Sequence, residues 1–129
     1  MKNENIIILY ENLKKAFDDN TKYFPAKINF IIHKNINLLK SFSEEIYRER
    51  DAIIQHYGDI IDNIAETYQI PEQFKKIAQQ ELDELLEIEQ NINILYIKLN
   101  QIENLEFTSN QMEAIMFMIE EENDEDQVE

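Results

Sequence analysis

The sequence predicts a mainly α-helical fold, and three observations carry that expectation. One Gly and two Pro among 129 residues leave few places for the tight turns of a sandwich or barrel. Apolar residues recur every three or four positions over most of the chain. One stretch, 26–57, holds neither Gly nor Pro and steps in apolar residues throughout. With 43% hydrophobic residues, six Tyr and seven Phe, the chain has the apolar material for one core, and its length suits a single domain over 1–119.

Ile6, Leu9, Leu13 and Phe17 recur at helical spacing with Glu11, Lys14 and Lys15 between them, which predicts a short amphipathic helix. Asp18, Asp19, Asn20 and Thr21 are turn formers that end it. Pro25 suits the first turn of the next helix. From there Ile28, Ile32, Ile36, Leu39, Phe42, Ile46, Arg50 and Ile53 predict one helix over 26–57, about 48 Å long, closed by a left-handed cap at Gly58.

Ile60, Ile61, Ile64 and Tyr68 fit a short helix within 59–69, and Pro71 restarts the chain. Phe74, Ile77, Ala78, Leu82, Leu85 and Leu86 then form a stripe over 71–87, the expected antiparallel neighbour of 26–57 in a long helical hairpin. Ile92, Ile94 and Tyr96 alternate with Asn91, Asn93 and Leu95, which favours a strand near 92–99 over a helix running from Gln73 to Leu99. Ile6–Leu9 or a second subunit could supply its pairing edge. Thr108 and Gln111 have capping-box spacing ahead of a short closing helix with Met112, Ile115, Met116 and Ile119. Seven acids and no bases in 120–129 predict a disordered acidic tail.

Charge is distributed unevenly. Residues 1–50 hold nine Lys/Arg against seven Asp/Glu, whereas 51–129 hold three against twenty, a net of −17. That field argues against direct nucleic-acid or anionic-membrane binding and for a basic protein partner. Absent Cys removes disulfides and thiolate chemistry and fits a reducing compartment. No apolar run approaches the ~20 residues that span a bilayer. Met1–Leu13 lacks the order of a secretory signal, so a cytosolic protein is expected.

No residue set has the types and spacing of a catalytic motif, and no cofactor or metal is expected. His33 and His56 complete neither a Glu-x-x-His nor a His-Glu-x-x-His pattern. Glu81, Glu84 and Glu87 share a helix face with Asp83 beside them; a solvated face, a partner's basic patch and a metal site are the three readings, in that order. Lys27, Lys34, Lys40, Arg48 and Arg50 interleave with acids, which favours local ion pairs over a phosphate-tracking stripe. Met112, Met116, Met118 and Phe117 make an adaptable apolar patch suited to core packing or docking. The candidate partner-binding residues are therefore Glu81, Asp83, Glu84, Glu87, Met112 and Met116.

The run Phe24-Pro25-Ala26-Lys27-Ile28-Asn29-Phe30-Ile31-Ile32-His33-Lys34-Asn35, followed by Arg48 and Tyr57-Gly58, resembles a family of short uncharacterised proteins of tailed bacteriophages and prophages. Glu81–Ile88 followed by alternating Asn91–Leu99, then Phe107-Thr108 and the Met-rich closing helix, look similar too. The resemblance covers most of 5–120 through short motifs. It departs at Asp59–Gln69, which is longer and Ile-bearing where the family has a Gly/Asn turn. The abundance of Ile, Asn and Lys suits an AT-rich genome. The resemblance implies a phage accessory protein in the host cytoplasm or the virion, with no activity to carry over. The expected function is non-enzymatic protein–protein binding in virion assembly or structure, with a phage structural protein as partner and homo-oligomerisation open. The alternative is an acidic nucleic-acid mimic that inhibits a host nucleic-acid-binding defence nuclease.

Overall fold

The structure, a computed structural model, describes residues 1–17, 24–62 and 67–120, with backbone alone at 61 and 62. The turn formers at 18–21, Ile64 and the acidic run 121–129 lie outside the described residues. Helix dominates: α1 (Asn3–Ala16), α2 (Ala26–Tyr57), α3 (Glu72–Glu87) and α4 (Ser109–Ile115). Between and after them run the short strands β1 (Asp59–Asp62), β2 (Thr67–Gln69), β3 (Ile97–Lys98) and β4 (Ile119–Glu120). The expected mainly α class holds, and α2 occupies the 26–57 stretch assigned to it.

The chain gathers into two compact units, Met1–Ile7 with Ser41–Asn91, and Ile8–Lys40 with Ile92–Glu129. Both α1 and α2 contribute residues to each.

In the first unit α2 ends at Tyr57, where the Gly58 N–H donates to the Ile54 carbonyl at 2.8 Å. Gly58 does not take the left-handed backbone expected of it. A Cβ there would lie 2.6 Å from the Ile54 oxygen and 3.1 Å from Tyr68 Cβ, so glycine is needed for close approach. The residues beyond form a β-hairpin in place of the short helix expected over 59–69. Asp59 pairs with Gln69, Ile60 with Tyr68 and Asp62 with Thr67, with a bulge between Ile60 and Asp62. Ile, Thr and Tyr are strand-forming residues, and extended pairing wins over a helix that Pro71 would cut short.

Helix α3 begins after Pro71, and its last carbonyls are met from the start of the chain. The Asn3 N–H donates to Ile88 O at 2.9 Å and Asn3 Nδ2 to Leu85 O at 2.8 Å. Lys2 bridges Glu89 antiparallel, and the Gln90 N–H donates to Met1 O at 2.9 Å. These partners satisfy carbonyls that a helix end leaves open. They also explain why α3 stops at Glu87 instead of continuing to Leu99.

The second unit holds most of the core: Tyr10 and Leu13 of α1, Ile28, Ile32 and Leu39 of α2, and Ile97, Ile102, Ile115 and Met118. Phe24 stacks on Phe107 with ring centroids 4.5 Å apart. β3 pairs parallel with β4, Ile97 against Ile119. The strand expected over 92–99 thus shortens to two residues, and its edge comes from Ile119–Glu120 rather than Ile6–Leu9 or a second subunit. The reason lies in Asn35, which is fully buried. Its Nδ2 donates to Leu95 O at 2.8 Å and its Oδ1 accepts from the Leu95 N–H at 2.9 Å. A side-chain amide takes the place of a neighbouring strand. Thr108 and Gln111 form the expected reciprocal cap, at 3.1 and 3.0 Å. The closing helix is shorter than expected, because Met116–Met118 tightens into a 3-10 turn and Ile119 joins β4.

The stripe of α2 is also shifted from its expected line. Asn35 and Ser43 face the core between Ile32, Leu39 and Ile46, while Ile36, Phe42 and Ile53 are half-buried flanks and Arg50 is exposed.

Candidate interaction surface

Within the first unit α3 is thinly covered. Of its sixteen residues only Ala78 is buried, while Phe74 and Ile77 are 38% and 46% exposed. Ile88, which caps the helix, is 51% exposed. Positions 77, 84 and 88 are separated by seven and four residues, so they line one stripe of the helix surface. Tyr57, at the end of α2, meets α3 through its ring, 6.0 Å from that of Phe74.

The carboxylates of α3 differ in what they touch. Glu81 accepts the Tyr57 hydroxyl; that hydrogen bond, with partial dehydration and the carboxylate's charge, holds the phenol above its ordinary pKa. Asp83 accepts from Gln79 Nε2 at 2.9 Å. Glu87 receives Lys2 Nζ at 2.7 Å, and this hydrogen bond, then its charge, raises the ammonium's pKa. Glu72 pairs with Lys75 at 2.9 Å. Glu84 has no partner among the described residues. The last turn of α3 carries no basic residue, so Asp83, Glu84 and Glu87 add their charge to the negative end of the helix. An open hollow of about 460 Å³ lies there, lined by Gln80, Asp83, Glu84, Glu87 and Ile88.

A second cleft of about 510 Å³ runs between the end of α2, β2 and α3, with Ile54, Tyr68, Ile70, Ala78 and Leu82 on its walls and Lys75 at its edge. In the second unit a polar cleft of about 180 Å³ separates α1 from α4, with Asn12, Lys15, Asn110 and Glu113 around it. The remaining sequence candidates belong to this unit: Met112 is half-buried and Met116 is 58% exposed, while the neighbouring Met118 is core, 3.4 Å from Asn35 Nδ2. Asp83, Glu84 and Glu87 therefore come together at the hollow and Glu81 turns to Tyr57, whereas Met112 and Met116 belong to the other unit and are not part of that surface.

Both histidines are exposed, and His56 lies edge-on to Tyr57 with centroids 4.6 Å apart. Among the described residues no three His, Asp or Glu side chains are grouped so as to hold a metal ion. No helix of the described residues is long and apolar enough to cross a membrane. Comparison with family models, characterised proteins and solved structures finds no match to this chain.

Two contacts that shape the surface carry no sequence signal. Lys2 and Glu87 stand 85 positions apart, and Tyr57 with Glu81 24 apart, so nothing local pairs them. Asn35 did leave a trace: it is a polar residue at a core-spaced position between Ile32 and Leu39.

Proposed function

We propose that this chain is a small phage accessory protein that works by binding another protein, in virion assembly or as a structural component, in the host cytoplasm or the virion. One observation carries the proposal. The first unit fully buries only Ile6, Ile46 and Ala78 among its described apolar residues, yet exposes Ile60, Phe74, Ile77 and Ile88. Surface of that kind, set among acids, suits a protein interface better than solvent. The phage setting is supported by the motif from Phe24 to Asn35 with Tyr57-Gly58.

The test is to purify particles from a host that carries the gene with an affinity tag. The proposal expects the chain in particles, or in complex with a capsid or tail component. Its absence from both would end the proposal. The net −17 of residues 51–129 favours a second reading, a nucleic-acid mimic. That reading expects salt-sensitive binding to a nucleic-acid-handling enzyme, competed by DNA or RNA.

A further inference from the structure

We propose that the C-terminal half of α3, with Ile77, Glu84 and Ile88 in line and the hollow around Glu84, docks a basic amphipathic helix of a partner protein. The inference rests on the binding role above and names the chemistry of the partner.

Three features of this surface argue for such an occupant. The first is the order of the stripe: an exposed apolar residue, a carboxylate with no partner among the described residues, and a second exposed apolar residue. Ile77 to Ile88 spans about 16 Å at helical rise, roughly three turns, which is the footprint of one helix laid in a groove. The second is the negative end of α3, where the start of the chain answers Glu87 and Glu89 but not Glu84. A cation is favoured in the last turn of a helix; this one places Glu84 and Glu87 there, and the nearby cations, Lys2 and the Met1 ammonium, pair with Glu87 and Glu89. A cation brought to Glu84 from outside would meet both the carboxylate and the helix dipole. The third is the field around them. The first unit holds five Lys/Arg against fourteen Asp/Glu, a net of −9. A second copy apposed through this same face would bring the same charge to it, and nucleic acid or an anionic membrane would be repelled likewise. A partner helix with Leu or Ile on one face and Lys or Arg between them complements both the apolar residues and the carboxylate.

The experiment titrates the full chain with a labelled synthetic helical peptide, Leu at a/d spacing with Lys between, and with a scrambled peptide of the same composition. Fluorescence anisotropy reads affinity, and circular dichroism confirms that each variant keeps its helix. Saturable one-to-one binding is expected, about tenfold tighter than the scrambled peptide, a difference of about 1.4 kcal/mol. Glu84→Lys should weaken it about tenfold and Ile77→Ser about fivefold. Glu49→Lys, an exposed acid on α2 in the same unit, should change it less than about twofold.

Equal weakening by Glu84→Lys and Glu49→Lys would mean diffuse attraction and overturn the proposal. So would equal binding of the scrambled peptide, or sedimentation showing a dimer that Ile77→Ser disperses. Capture of a phage component by the tagged chain that survives Glu84→Lys and Ile77→Ser would leave the binding role standing and remove this surface from it.

Discussion

Replacing Asn35 by Leu tests how the second unit holds its extended segment. The side chain is fully buried, and its amide makes both a donor bond and an acceptor bond to the backbone of Leu95. Leucine keeps the branched outline but puts bulkier methyls where the amide N and O sat, and it reproduces neither bond. Each bond contributes about 1 kcal/mol net, and leaving the Leu95 N–H and C=O without partners adds about 1 kcal/mol or more, so the loss should be near 3 kcal/mol. With a urea m-value of about 2 kcal/mol/M for a domain of this size, the midpoint should fall by roughly 1.5 M. Hydrogen exchange at Leu95 should accelerate at the same time. A midpoint within about 0.3 M of the parent, with Leu95 still protected, would show that the amide does not pin the segment.

Ser43 makes the opposite case in the same helix: its buried hydroxyl has no hydrogen-bond partner among the described residues. Ser43→Ala should leave stability unchanged or raise it by up to about 1 kcal/mol in urea unfolding, since it removes a dehydrated polar atom and favours helix. Gly58→Ala should cost about 1–3 kcal/mol, because its methyl would sit 2.6 Å from the Ile54 oxygen; a neutral result would mean that the chain can shift away from the last turn of α2. The Tyr57 phenol is held above its ordinary pKa in the folded chain, so it favours folding below about pH 10 and that contribution is lost as pH rises through the raised value. Tyr57→Phe should therefore unfold with a weaker alkaline fall in midpoint than the parent; parallel profiles would contradict the Glu81 hydrogen bond.

Helix was legible in the sequence wherever apolar spacing was regular and uninterrupted, which is why α2 falls on its expected residues. It failed where two periods compete. Ile60 and Ile61 fit a helical spacing as well as a strand, and only the pairing of Asp59–Asp62 with Thr67–Gln69 breaks the tie. The alternation over 91–96 is that of extended chain, but at Leu95 the backbone bonds to Asn35 rather than to a ladder. The core line of α2 slipped because an apolar count prefers Ile36 and Phe42, whereas geometry turns Asn35 and Ser43 inward. On the candidate surface the acids of α3 could be read as one face. Which of them remained open could not, because Lys2 and Tyr57 reach Glu87 and Glu81 only through the fold.

Hydrogen–deuterium exchange on the full chain, alone and in complex with its captured partner, bears most directly on the claim that α3 is the recognition surface. New protection should concentrate in 77–90, with α4 and the first half of α2 unchanged. Protection confined to 108–120, or none anywhere in α3, would contradict it.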